Sequence, residues 1–218
     1  YCTKGGPNSN GPAMTGGNLL LKANAVAQAG ILLEEESMLE NVKEGVKTVL
    51  VNNSYTKLTT SDADGFYADG SYIQHQALAY IGGYGADLFN NLGVFLKTLN
   101  GSAWELRYDD QSENVAYDFV FNGIEPFVYE TRTMDMVSSR DVTRSGSWDR
   151  ERSAELLSAI LPLRGTFPTE EQNARFDSMM KYLLSLDAEY YYAHMPSITS
   201  IQIAEELVND ASVQPRRE

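Results

Sequence analysis

Five side chains in this 218-residue chain are of types that could share one reaction. His75 and Tyr84 stand nine apart within DGFYADGSYIQHQALAYIGGYG, residues 64–85. An imidazole and a phenol are both competent to move protons. Arg140 and Arg144, in MDMVSSRDVTRSGS, are four apart and would share a face of any helical turn. Two guanidiniums side by side repel, so such a pair suits an anionic ligand, a carboxylate or a sulfate. Asp135, Asp141 and Asp149 lie close by in sequence and are alternative partners for them. Asn18 follows Gly16 and Gly17. It either caps a helix or offers its amide beside a helix N-terminus, where backbone N–H groups and the dipole also favour an anion. Asp62, Asp64 and Asp69 read as turn formers, because they lack the ligand spacing of an EF-hand calcium loop.

These groups need elements to hold them. Residues 1–17 are rich in Gly, Pro and Asn and read as a loop. From Asn18, in the N-cap position, NLLLKANAVAQAGILLEE carries apolar residues at helical spacing. A second helix is expected over 37–51, then a polar loop over 52–70. The pattern predicts one long helical stretch over 71–99, interrupted at Gly82, Gly83 and Gly85. In an unbroken helix His75 and Tyr84 would face opposite ways. The glycines would therefore have to swing Tyr84 back toward His75. The same residues also suit a helix–loop–helix corner with a packed histidine and an ordinary tyrosine.

Further helices are expected at 112–122, 148–163, 169–188 with Thr169 as N-cap, and 197–210 with Ser197 as N-cap; a loop covers 131–147 and a tail 212–218. About seven helices of uneven length, with little strand-like alternation, predict an all-α chain. Paired helices with functional loops at one end fit an α/α toroid, or part of one.

The charge balance narrows the partners. A net charge of −13 argues against nucleic acid, which is bound by Lys and Arg neutralising phosphates. No run of about eighteen apolar residues occurs, so no membrane span is expected. The single cysteine, Cys2, cannot form an internal disulfide. Two Asn-x-Ser sequons, at Asn52 and Asn100, are compatible with a secreted glycoprotein. No basic-then-apolar signal pattern opens the chain, so a targeting peptide is expected to be absent from it.

Three segments go beyond general patterning: TGGNLLLKANAVAQAGILL, DGFYADGSYIQHQALAYIGGYG and MDMVSSRDVTRS, in that order. They resemble the signature blocks of polysaccharide lyase family 8, the hyaluronate, chondroitin AC and xanthan lyases. The first keeps Gly-Gly-Asn at a helix start. The second keeps the His and the Tyr nine residues on, and the third keeps both arginines at their spacing. The resemblance runs from about Thr15 to the helices near 210. It implies an incomplete (α/α) toroid whose active site is Asn18, His75, Tyr84, Arg140 and Arg144, with Asn18, Arg140 and Arg144 also binding substrate. It further implies that the chain is a slice of a larger catalytic domain, lacking upstream helices with a sugar-gripping aromatic patch and lacking the β-sheet domains. The expected partners are an anionic polysaccharide and those remaining segments, with an extracellular location.

The implied reaction is β-elimination at a uronic acid, with no cofactor. Loss of the C5 proton builds charge on the adjacent carboxylate, which Asn18 and His75 are suited to neutralise as uncharged donors. A phenol, ordinarily titrating near 10, can act as base where cations and hydrogen bonds favour its anion. Tyr84 would then take the C5 proton and return it to the C4 oxygen on the same side of the ring. That geometry suits D-glucuronate or D-mannuronate, and so hyaluronan, chondroitin, xanthan or poly-mannuronate. Two alternatives are a glycan-binding toroid without turnover and a hydrolase using Asp64 and Asp69.

Overall fold

The computed structural model describes residues 14–53, 64–75, 77–99, 101–105, 115–146 and 148–217. The expectations for Cys2, Asp62, Asn100 and the 1–13 part of the leading loop fall outside them, as does the start of the helix expected at 112–122.

The chain is mostly helical, as its patterning requires. Helix α1 (Gly16–Leu33) and α2 (Glu36–Lys47) are joined by Glu34 and Glu35, with Glu34 in the left-handed region at φ 55° ending α1. Helix α3 (Ala86–Leu99) packs on α1, and α4 (Asp149–Ile160) packs on α3. Helices α5 (Glu170–Ser185), α6 (Ala188–His194) and α7 (Ile198–Asn209) complete the set, α5 lying against α7. Thr169 opens α5 with a full capping box to Gln172, and the Ser197 side chain accepts from Ser200 N–H, as expected of both. Asn24 on α1 ties that helix to α3 by donating to the Asn91 carbonyl at 2.9 Å.

Two expectations are corrected. The segment over 71–80 is not helical. Strands β1 (Asn52–Asn53), β2 (Gly65–Tyr67), β3 (Tyr72–Gln74) and β4 (Leu78–Ala79) form a small sheet, with β2–β3 and β3–β4 antiparallel. Tyr72 and Gln74 point inward and Ile73 is only half-buried, so the period is two and not 3.6. The Gln-, Ala- and Leu-rich composition favours helix in isolation, and packing overrides it. The loop expected over 131–147 holds strand β6 (Arg132–Thr133), paired with β5 (Val128–Tyr129) just before it, and two 3₁₀ turns, Asp135–Val137 and Ser139–Thr143.

A buried aromatic cluster joins sheet to helices beneath this loop. Phe66 of β2 meets Tyr72, Phe89 and Phe119 at ring-centroid distances of 4.9, 5.6 and 5.5 Å, and Phe89 stacks on Phe119 at 4.1 Å. Each such burial contributes roughly 1.5–3 kcal/mol, which anchors β2, α3 and the π-helical turn Phe119–Ile124 as one block. Among the described residues, no helix is long and apolar enough to cross a membrane.

Candidate functional site

His75 sits at the tip of the β3–β4 hairpin with φ 54°, a conformation that histidine adopts more readily than most residues and that costs energy unless its surroundings enforce it. Nine residues on, the chain has returned to the same place. Tyr84 lies in a π-helical turn, Ile81–Gly85, directly before α3. The His75 and Tyr84 rings meet edge to face, 5.1 Å between centroids and 89° between planes.

The glycines of that turn do not swing Tyr84 back as expected. Neither Gly82 nor Gly83 has positive φ. What they provide is close approach. A Cβ on Gly82 would lie 3.2 Å from Ser138 Oγ, and one on Gly83 would lie 2.7 Å from Tyr80 Cδ1 and 2.8 Å from Asp141 Oδ2. The turn thus presses against the 3₁₀ segment that carries the arginines.

Arg140 and Arg144 part company there. Arg140, within the Ser139–Thr143 turn, brings its guanidinium to 3.2 Å from His75 Nε2. A guanidinium only donates, so this contact needs the Nε2 lone pair and leaves the imidazole proton on Nδ1. Arg144 follows in extended backbone, φ −83° and ψ 131°, so no shared helical face exists. It pairs instead with Asp141 at 2.9 Å. Asp135 and Asp149 pair with other arginines, Arg152 and Arg132.

Asn18 is not a cap. Thr15 holds that position, without a side-chain bond, and Asn18 is the third residue of α1 and exposed. The first turn of α1 is served from elsewhere: the Tyr72 hydroxyl accepts from Gly17 N–H and donates to Gln74 Oε1 at 2.7 Å, and Gln74 donates to Asp64 at 2.7 Å. Burial, then the Asp64 charge, holds the Tyr72 phenol neutral by raising it far above its ordinary value. The two glycines before Asn18 are close-packed. A Cβ on Gly16, which has φ +57°, would lie 2.5 Å from Tyr72 Oη, and one on Gly17 would lie 3.4 Å from the Tyr84 carbonyl oxygen. The start of α1 therefore rests on the turn that carries Tyr84, and brings Asn18 beside it.

One site residue was not anticipated. Tyr80 is 1% exposed, and its ring lies 6.3 Å from His75 and 5.2 Å from Tyr84. Its hydroxyl lies against both Arg140 and Asp141. Burial pushes its phenol up, opposed by Arg140 and reinforced by Asp141. Its place three residues before Gly83, the glycine on which its ring packs, is the only signal that sequence offered. Asp69 is occupied as a turn former, accepting from Ser71 N–H at 3.0 Å and from its hydroxyl at 2.7 Å.

A cavity of about 530 Å³ adjoins the site, lined by Gly82, Gly83, Asp141, Arg144, Asp87 and Glu155 among others. Burial raises the carboxyls of both Asp87 and Glu155, and Asp141 raises them further; Asp87 adds to the effect on Glu155. In chemical terms, a phenol, an uncharged imidazole and a guanidinium converge, with an amide on the adjoining helix start. Such a set can hold an acid group and move a proton.

Comparison with known proteins bears on the family and the fold. Residues 4–182 match the family model described as polysaccharide lyase family 8, N terminal alpha-helical domain. A hyaluronate lyase of Thermasporomyces composti is 29% identical over 203 residues, which is 92% of this chain and 25% of the relative. A xanthan lyase of Bacillus sp. (strain GL1) is 26% identical over 202 residues, 93% of this chain and 21% of the relative. Paenibacillus xanthan lyase superposes with a TM-score of 0.82 at 33% identity, over 94% of this chain and 19% of that one. The Streptomyces coelicolor A3 chondroitin AC lyase, in complex with chondroitin sulphate, superposes at 0.81 over 97% of this chain and 28% of that one; at 22% identity the likeness is one of fold. The chain spans about a quarter of the length of the curated relatives it matches.

Proposed function

Because the chain belongs to polysaccharide lyase family 8, we propose that the protein cleaves a glucuronate-containing polysaccharide by syn β-elimination. The observation that carries this reading is the convergence of His75, Tyr84 and Arg140, three residues separated by up to sixty-five positions, on one spot. Asn18 and His75, through Nδ1, donate to the uronate carboxylate, so that charge arising at C5 is met by donors already in place. Arg140 supplies positive charge beside both rings. The Tyr84 oxygen takes the C5 proton. The C5–H electron pair becomes the C4–C5 double bond, the C4–O bond breaks, and the same phenol returns the proton to the departing glycosidic oxygen. One residue serves both steps because hydrogen and leaving oxygen share a face of the sugar.

The hyaluronate and xanthan lyase relatives support a glucuronate-type polymer. In this reading the rest of a family-length chain completes the cleft, and the enzyme acts outside the cell on its polymer. The full-length protein, incubated with hyaluronan, chondroitin, xanthan and poly-mannuronate, is expected to release unsaturated oligosaccharides from at least one of the first three, identified by mass. Tyr84→Phe should abolish them while leaving the polymer bound. Saturated products, or turnover that survives Tyr84→Phe, would remove the elimination mechanism.

A further inference from the structure

We propose that Tyr80 is a positioning residue that holds Arg140 against His75 and keeps the two arginines in different roles. The argument begins with how firmly Tyr80 is itself held. Its ring is buried, packing against the touching pair His75 and Tyr84 and against Gly83. Its carbonyl accepts from the N–H groups of Gly83 and Gly85, at 3.4 and 3.0 Å, and so forms the base of the turn that carries Tyr84. Its own N–H donates to the Tyr72 carbonyl at 3.0 Å, fastening that base to the hairpin that carries His75. Tyr80 thus touches the supports of both rings.

Its hydroxyl then reaches a third element. It lies against Arg140 and Asp141, and Asp141 in turn pairs with Arg144. A phenol has one proton to give and lone pairs to receive, so it can serve both neighbours only by accepting from Arg140 and donating to Asp141. The result is an asymmetry between the guanidiniums. Arg144 is bonded to a carboxylate, which cancels most of its field. Arg140 is bonded to two uncharged groups, the Tyr80 hydroxyl and the His75 ring, and its charge stays directed at the rings. Arg140 is also exposed and otherwise free to adopt many rotamers, so a buried partner is what fixes it. Burial, by favouring the neutral phenol, keeps that partner uncharged. Tyr80 touches no substrate in this scheme; it acts through Arg140.

The kinetic readout rests on the lyase reading, and a structural readout does not. In the full-length enzyme, Tyr80→Phe keeps the ring and removes the hydroxyl. It should lower kcat at least tenfold with KM changed less than threefold and the melting temperature nearly unchanged. Arg140→Ala should add little to the loss in a Tyr80→Phe background, because both changes remove one interaction. In crystals of the Tyr80→Phe variant, Arg140 should have left His75 Nε2 while Tyr84 keeps its place. Where Tyr80→Phe proves unstable, Asp141→Asn, which retains an acceptor for the Tyr80 hydroxyl, should keep Arg140 on His75 in crystals and release Arg144. Wild-type kcat in Tyr80→Phe, losses that simply multiply in the double variant, or an Arg140 still bonded to His75 in the crystal would each overturn the proposal. Should the wild-type enzyme form no unsaturated product, the lyase reading fails alone, and the crystal arm still decides the role of Tyr80.

Discussion

Replacing Gly83 with alanine probes the closest contact in the site. The new Cβ would stand 2.7 Å from Tyr80 Cδ1, nearer still to Cε1, and 2.8 Å from Asp141 Oδ2. An ordinary carbon–carbon contact is about 3.5 Å, so the ring must retreat by at least ~0.8 Å, the difference between the two. Its room to retreat is small, because it is 1% exposed and packs against both His75 and Tyr84. Overpacking of this kind costs about 1–3 kcal/mol, and the lower backbone entropy of alanine returns up to about 1 kcal/mol. The net loss of about 0–3 kcal/mol lowers the melting temperature by no more than roughly 12 °C for a unit of this size. Turnover should suffer far more. A displacement approaching 1 Å among groups that act together can cost about a hundredfold, and Tyr80 carries Arg140 with it. Gly82→Ala is the control, since its Cβ meets Ser138 Oγ at 3.2 Å, a contact that a small side-chain rotation relieves. The assay is kcat for release of unsaturated product by the full-length enzyme, beside a thermal melt. A Gly83→Ala enzyme with turnover equal to that of Gly82→Ala would show that the close approach of turn and arginine segment is irrelevant to the chemistry.

Other consequences are open to measurement. Gly123→Ala should destabilise by about 3 kcal/mol or more, because its Cβ would collide with the Gly70 carbonyl, backbone against backbone, where neither side can rotate away; urea unfolding reads this. Thr169→Ala removes the hydroxyl half of the α5 capping box and should cost about 1 kcal/mol in the same assay. Asp135→Ala leaves the Arg152 guanidinium, 3% exposed and bonded to Asp135 at 2.8 Å, without that partner, and should lower the melting temperature more than Asp149→Ala does, whose partner Arg132 is exposed. The folded-state carboxyls of Asp87 and Glu155 are raised, so their contribution to stability is fully present below the ordinary carboxylate range and is lost as pH climbs through the raised values. Melting temperature should therefore climb on mild acidification from neutral pH, and Asp87→Asn with Glu155→Gln should flatten that climb.

Helix identity was legible wherever local chemistry and packing agree. Thr169 and Ser197 each precede a periodic run and supply a side-chain oxygen, and both cap as read. The five candidate side chains were singled out by the family resemblance of their segments, and three of them, His75, Tyr84 and Arg140, are brought together. Their geometry was not legible. Residues 72–79 carry helix-forming types, yet Tyr72 and Gln74 are drawn inward on alternate positions by Phe66 and Asp64, contacts across up to ten residues that no window reveals. Asn18 resembles a cap in every local respect, but the group that serves the helix start is a hydroxyl fifty-four positions on. The four-residue spacing of the arginines promised a common face, and the backbone turns extended at the second of them. Tyr80 passed unnoticed because a buried tyrosine among thirteen looks like core filling.

The hydroxyl of Tyr72 that serves the first turn of α1 links two parts of the chain in time as well as in space. A helix start completed by a distant hairpin stays frayed until that hairpin docks, so Asn18 becomes ordered only in the step that also seats His75. Opening of the hairpin would release both together as one cooperative unit, seen in hydrogen exchange as matched protection of Gly17 and Tyr80 amides. The amide and the imidazole are then present as a pair or absent as a pair, and the molecule spends little time with half a site.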